Sequence, residues 1–417
     1  MRRRSRFGLL SLVAATLLVL APWSTANAQT QRWASSWASA QMLVDPKDAL
    51  PAPTQKDLTL RQLVRITAGG TRLRITVSNV FGTAPLTISG VNVARAVSPG
   101  SSRVDPSTDR PVTFNGVRTA IIPAGAEYVS DPIALAAPAL TTLAISIHLA
   151  EVPTRQTGHP GSRATSYFLG GDHLSAPELE GAQTVDRWYF LSGVDVLPPA
   201  PVMAIAVLGD SITDGHGVVS NTDTRWTDTL AQRLKAFAAT RSLAVLNLGI
   251  GGNRLVDDGL GPNAAARFGR DVLDRRGVKY LIILEGVNDL GVLTRDAPAS
   301  PEQHGTMVKR MIGALAQMVS RARERGIKVI GATILPFGAS DYYHPGAATE
   351  ADRQMVNAWI RRPGNVDAVI DFDALMRDPA RPSRMRKELD SDGLHPNAAG
   401  YRLMGEAVPL SLFTARR

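Results

Sequence analysis

The chain has 417 residues, 44% of them hydrophobic and 20% charged, which supports a sizeable core and argues against a disordered or fibrous chain. It contains no cysteine, so disulfides, thiolate metal sites and a cysteine nucleophile are excluded. The net charge is +9, falling to +5 once Arg2, Arg3, Arg4 and Arg6 of the leader are removed, and the remaining basic residues form no dense block of the kind a nucleic-acid binder carries.

In chain order, the first feature is that leader. A basic start, an apolar run from Leu9 to Leu20 and the tripeptide Ala26-Asn27-Ala28 have the grammar of a secretory signal. The run is too short for a membrane span, which needs ~20 residues. Cleavage after Ala28 is expected, with delivery to the periplasm or the exterior, and no later segment reads as transmembrane.

Residues 29–200 read as β. Leu73, Ile75 and Val77 alternate with Arg74 and Thr76, and Leu143, Ile145, Ile147 and Leu149 alternate with Ala144, Ser146 and His148, as in half-buried strands. Gly69-Gly70, between Leu63–Ile66 and the first of these strands, reads as a hairpin turn. Recurring turn signals predict a sandwich or jelly-roll. The stretch Leu197-Pro198-Pro199-Ala200-Pro201 sustains neither helix nor central strand and marks a boundary.

Residues 201–417 alternate between strand and helix. Apolar runs at 203–208, 243–248, 280–284, 329–335 and 368–372 read as strands, and 280–284 as one buried on both faces. Trp226, Leu230 and Leu234 form one helical stripe; Met307, Met311, Leu315 and Met318 form another, stopped at Gly326. This order predicts an α/β domain with a doubly wound parallel sheet.

Such sheets place their sites at the carboxyl ends of the strands. The first strand ends in Gly209-Asp210-Ser211-Ile212, where Ser211 is either a helix cap or a nucleophile. The second ends in Asn247-Leu248-Gly249-Ile250-Gly251-Gly252-Asn253, a plain turn or a source of backbone N–H for an anion; the spacing of a phosphate loop is absent. The third ends in Glu285-Gly286-Val287-Asn288-Asp289, a turn or an amide donor in Asn288. Near the C-terminus, Asp392 precedes His395 by three residues, close enough for the carboxylate to orient the ring. Such a pair also binds metal, but hydrolytic sites use about three protein ligands and no second His lies close in sequence, so neither metal nor cofactor is expected. Together these pieces supply a nucleophile, oxyanion donors, a base and its orienter. His216 and Arg254 are candidate cleft residues that contact substrate, with a surface histidine and a structural ion pair as the plainer alternatives. Asp210 and Asp289 read as loop-fixing groups. Trp188, Tyr189 and Phe190 read as core, with a sugar-stacking platform as the alternative.

On these residues the chain resembles the SGNH (GDSL) hydrolase superfamily over roughly residues 202–410. Gly209-Asp210-Ser211-Ile212 resembles the first block, Asn247-x-Gly249-x-x-Gly252 the second, Gly286-x-Asn288-Asp289 the third, and Asp392-x-x-His395 the last. The resemblance implies a flavodoxin-like SGNH fold and ester hydrolysis without cofactor. It makes Ser211 the nucleophile, His395 the base and Asp392 its partner, with Ser211, Gly252 and Asn288 around the oxyanion. The whole-chain pattern, including Gly251-Gly252-Asn253-Arg254-Leu255 and Asp371-Phe372-Asp373, is similar to a bacterial subgroup with a signal, an N-terminal β-domain and the hydrolase domain. Several related two-domain enzymes deacetylate plant polysaccharides. The expected substrate is a small or polysaccharide ester, short-chain or O-acetyl. A lipase or thioesterase for longer acyl chains and a non-catalytic polysaccharide-binding protein are the competing readings.

Overall fold

Five strands of the C-terminal half form one parallel sheet: β1 (Met203–Gly209), β2 (Leu243–Gly249), β3 (Val278–Leu284), β4 (Lys328–Ala332) and β5 (Ala368–Ile370), in the order β2-β1-β3-β4-β5. The structure, a computed structural model, describes residues 32–50 and 56–414. The predicted leader and its cleavage point therefore lie outside the described residues. Between and after the strands come α1 (Ser211–Asp214), α2 (Trp226–Ala236), α3 (Ala264–Phe268), α4 (Val287–Arg295), α5 (Pro301–Glu324), α6 (Ala347–Arg361), α7 (Phe372–Met376) and α8 (Ala398–Ala407). The α/β expectation for this half is met. Trp226, Leu230 and Leu234 are fully buried, as are Met311, Leu315 and Met318 on α5. That helix starts with a reciprocal Ser300–Gln303 capping box and Pro301 in its first turn, and the chain turns at Gly326 with φ +65°.

Sheet order and register decide where a site can form. The chain leaves β1 to one side for β2, then crosses to the other side for β3, so β1 lies at the point where strand order reverses. Gly209 pairs with Gly249 on one side and Leu284 on the other. The loops that follow β1, β2 and β3 therefore leave the sheet at one level, side by side.

The N-terminal half is all β, as expected. One antiparallel sheet has the strand order 183–185, 166–170, 56–65, 142–151, 90–95, 110–112; a second runs 34–38, 191–197, 72–78, 127–129. Alternating residues such as Leu143, Ile145 and Ile147 join Leu73, Ile75 and Val77 in a common core, which continues into the residues of the parallel sheet. The predicted hairpin at Gly69-Gly70 is not there. Lys56–Arg65 lies in the six-stranded sheet and Arg72–Ser78 in the four-stranded one, so the glycine pair carries the chain from one sheet to the other. A Cβ at Gly69 would lie 2.7 Å from the Ala137 carbonyl, so close backbone approach sets the glycine requirement there. Alternation identifies a strand but not its partner.

Residues 32–414 lie in one compact unit. Strand β2 is an edge of the parallel sheet, and the all-β region covers it. The Thr67 hydroxyl accepts from the Val245 N–H at 2.9 Å, pairing a donor of an otherwise open edge, and its one hydrogen faces the carbonyls of Ser36 at 2.7 Å and Val245 at 3.0 Å. Among the described residues no helix is long and apolar enough to cross a membrane.

Candidate active site

Strand β1 ends at Gly209, where a Cβ would lie 2.3 Å from Thr213 Oγ1 and 2.6 Å from the Leu284 carbonyl. Asp210 caps the short helix α1 by accepting the Ile212 N–H at 2.9 Å. Ser211 is thus the first helical residue rather than the cap, which leaves its hydroxyl free for another partner. That partner is His395: Ser211 Oγ lies 2.8 Å from Nε2. His395 Nδ1 lies 2.8 Å from Asp392 Oδ2, and the second Asp392 oxygen accepts the N–H groups of Leu394 at 3.0 Å and His395 at 2.7 Å. The carboxylate is fixed by this turn and fixes the ring in return, so Nδ1 donates to Asp392 and Nε2 is left to accept the serine proton. Gly393 makes the turn possible. Its φ is +79°, and a Cβ there would lie 2.2 Å from the Ala339 carbonyl.

Ser211 and His395 are buried, with 6% and 7% exposure. Burial lowers the His395 pKa below the usual imidazole value; the bond from Asp392 opposes this and the neighbouring His216 reinforces it. Asp392 stays below the usual carboxylate range, because hydrogen bonds from His395 and the attraction of its ring outweigh the effect of burial. The acid of the pair is ionised while the base stays neutral.

The loops after β2 and β3 meet beside Ser211. Gly252 has φ +71°, and the cleft that contains Ser211 and His395 is also lined by Gly252 and Asn288. The Asn288 amide is held at both ends. Nδ2 donates to the Asn253 carbonyl at 2.7 Å, and the Tyr343 hydroxyl donates to Oδ1 at 2.6 Å. One amide hydrogen remains for a ligand. The Ser211 N–H, at the first position of a helix, has no partner within that helix. Behind the loops, Asp289 accepts the N–H groups of Leu255 at 2.7 Å and Val256 at 3.1 Å, as expected of a loop-fixing group.

Arg267 on α3 ties the strand ends together. It is buried, and it donates to the carbonyls of Gly209 at 3.0 Å and Leu248 at 2.7 Å and to Asn253 Oδ1 at 2.9 Å. Near it lies Glu285, whose two oxygens have no hydrogen-bond partner among the described residues. Burial, with Asp210 nearby, pushes the Glu285 pKa well above the usual range, and burial likewise raises Asp210 and takes Asp289 up to about 6.

The all-β region reaches this site as well. His159 is buried against α1: Nε2 lies 2.9 Å from Asp214 Oδ1 and Nδ1 lies 2.9 Å from the Ala40 carbonyl. The ring thus bridges the Ala40 backbone and the Asp214 carboxylate. Sequence reasoning missed Tyr343, Arg267 and His159. Each is a single residue far along the chain from the motif it supports, and no local spacing marks it.

The remaining candidates are placed as follows. His216 is exposed, as a turn histidine should be, yet its ring stacks on His395 at 4.0 Å between centroids and 27° between planes. Arg254 lines the cleft and its guanidinium bonds the Asp258 carbonyl rather than a carboxylate. Trp188, Tyr189 and Phe190 are buried in the core. His216, Asp392 and His395 bring three ligand-type atoms within 4.8 Å of one another. Stacked rings aim their in-plane lone pairs past each other, and His395 Nδ1 is held by Asp392, so the arrangement does not converge on an ion.

Residues 207–403 match the family model described as GDSL-like Lipase/Acylhydrolase family. This part of the chain belongs to that family. By its GDSL-like domain, the chain is a hydrolase of ester bonds. Similar solved structures include a GDSL-like lipase from Bacteroides thetaiotaomicron, 20% identical over 52% of this chain and 92% of its own, with a TM-score of 0.39. Others are an acetyl xylan esterase, 17% identical over 49% and 97% with a TM-score of 0.37, and an alpha/beta hydrolase enzyme from the metagenome of Lake Arreo, Spain, 22% identical over 52% and 98% with a TM-score of 0.38. Each covers about half of this chain. No curated protein matches the chain.

Proposed function

We propose that this protein is an exported serine esterase that hydrolyses short-chain or carbohydrate O-acetyl esters through an acyl-enzyme on Ser211. The observation that carries the reading is the unbroken chain Ser211 Oγ–His395 Nε2–Asp392, 2.8 Å at each link, at the wall of a cleft of about 1290 Å³. As Ser211 Oγ attacks the ester carbonyl, its proton passes to His395 Nε2, and Asp392 stabilises the imidazolium. The carbonyl oxygen becomes an oxyanion among the N–H groups of Ser211 and Gly252 and the Asn288 amide. Collapse expels the alcohol, which takes the proton from His395. Water then attacks the acyl-serine and gives a proton to the same nitrogen. The acid leaves, and Ser211 recovers its proton. Every proton moves between protein, substrate and water.

Charged groups are among the residues that line the cleft, Arg163, Arg254, Arg295, Lys387 and Asp341, which supports a substrate with a polar part such as a glycan. Export rests on the sequence grammar of residues 1–28; a mature chain beginning at Gln29 is the expected product. The test of the activity is hydrolysis of para-nitrophenyl acetate, expected in the parent and abolished in Ser211→Ala with an unchanged melting curve. Activity retained in that variant overturns the mechanism. A parent inert to acetate esters but active on octanoate esters would favour the lipase reading. A parent inert to both would favour a binding protein.

A further inference from the structure

The all-β region contributes one cation, Arg163, to the residues that line the cleft. Arg163 lines the same cleft as Ser211 and His395. The segment that leads to it is clamped. His159 holds Asp214 of α1, and Arg225 donates through Nε to the Asp214 carbonyl at 2.8 Å and through Nη2 to the Ser162 carbonyl. A Cβ at Gly161 would lie 1.9 Å from Asp214 Oδ2, so the two surfaces touch backbone to side chain. Beyond the clamp, the Arg163 carbonyl accepts the Asn221 N–H at 2.9 Å, and Arg163 itself has φ +48°, a conformation a non-glycine residue adopts only when its surroundings impose it. The backbone that presents this side chain is thus held from both sides.

The side chain itself is not held. Among the described residues no carboxylate forms a salt bridge with it, and its Nε is buried without a hydrogen-bond partner. Arg267 and Arg353, by contrast, are bonded to carboxylates and carbonyls in their pockets. The acids nearest the reaction centre are already engaged: Asp214 with His159, and Asp392 with His395. Asp390 accepts the Gly393 N–H, which leaves Asp341 as the cleft acid with no side-chain partner among the described residues. Arg254 and Lys387 line the same cleft, likewise without a carboxylate partner among the described residues. The Arg163 charge is felt at the centre, where it lowers the pKa values of Asp214 and His395.

A planar guanidinium that lines a cleft with neither terminal nitrogen bonded among the described residues is matched by a carboxylate, which accepts two parallel N–H bonds and neutralises the charge. A neutral acetyl ester makes no use of it. We propose that Arg163 is a specificity-determining residue supplied by the all-β region, and that the ester it selects carries a carboxylate in its acyl or its alcohol part. This inference rests on the ester-hydrolase reading of the same cleft. It gives the all-β region a function: it is a wall of the site that chooses the substrate.

The test compares matched esters that differ in one carboxylate. Para-nitrophenyl hydrogen succinate against para-nitrophenyl butyrate places the charge on the acyl side; O-acetylated glucuronate against O-acetylated glucose places it on the alcohol side. In the parent, kcat/KM should favour the acid in at least one pair by about tenfold at low ionic strength, the preference shrinking as salt screens the attraction. In Arg163→Gln the acid-to-neutral ratio within that pair should fall to about one, and Arg163→Lys should restore part of it. Because the readout is a ratio within each variant, a general loss of activity does not affect it. Ratios near one in both pairs for the parent, or a preference that survives in Arg163→Gln, overturn the proposal. Failure to cleave any of the four esters overturns the short-chain ester reading beneath it instead.

Discussion

Replacing Tyr343 with Phe removes a single oxygen, and the structure says what that oxygen does. Its hydroxyl donates to Asn288 Oδ1 at 2.6 Å in a buried setting. Without it, the Asn288 carbonyl oxygen is buried and unpaired, at a cost of about 1–3 kcal/mol. The amide can relieve that cost only by turning, which takes its free N–H away from the oxyanion. A complete loss of such a donor costs ~2.7–4 kcal/mol in the transition state, or about a hundred- to a thousandfold in kcat. Asn288→Ala should show that full loss. Tyr343→Phe should lower kcat by roughly ten- to a hundredfold, with little change in KM, because the donor is weakened rather than removed. The double variant should be no slower than Asn288→Ala alone, since Tyr343 acts through Asn288. Steady-state kinetics on para-nitrophenyl acetate and a thermal melt for each variant measure this. A Tyr343→Phe enzyme within about twofold of the parent, or losses that multiply in the double variant, would refute the reasoning.

Other outcomes follow from the same geometry. His395 must be neutral to act as base, and burial lowers its pKa, so the acid limb of kcat/KM should have its midpoint below the ordinary imidazole value of ~6.5; a midpoint above it contradicts the burial argument. Glu285 is buried with a raised pKa, so between the unfolded value near ~4.3 and the folded one the native chain holds a proton that unfolding releases, and stability falls as pH rises through that window. Glu285→Gln should flatten that fall, measured as melting temperature at pH ~5 and ~8; an unchanged slope refutes it. His159→Ala leaves Asp214 buried and unpaired, which costs about 3–5 kcal/mol when a buried pair is broken. A melting temperature matching the parent's would show that the contact between the all-β region and α1 carries no weight.

Apolar runs marked the strands of the parallel sheet closely, because a strand buried on both faces has few other sequences open to it. The motif residues were legible for a related reason. Gly209, Gly252 and Gly393 sit where a Cβ clashes or φ is positive, so the chemistry leaves a local mark. What supports those motifs left none. Tyr343 lies 55 residues from Asn288, and His159 lies 55 residues from Asp214, and only the fold brings them together. The Gly69-Gly70 hairpin failed on the same ground: alternation is local, and sheet membership is not. The plainer reading of His216, an exposed turn histidine, is met, but its stacking on His395 depends on a turn whose direction the sequence does not disclose.

The central claim is that Ser211 is the nucleophile. A fluorophosphonate probe reports this directly, because it phosphonylates a serine activated by a neighbouring base and oxyanion donors. Intact mass followed by peptide mapping should find one adduct per chain, on Ser211, formed at a rate that falls with pH as His395 is protonated and absent in Ser211→Ala. An adduct on another residue, or none on a folded protein that still hydrolyses esters, would contradict the account.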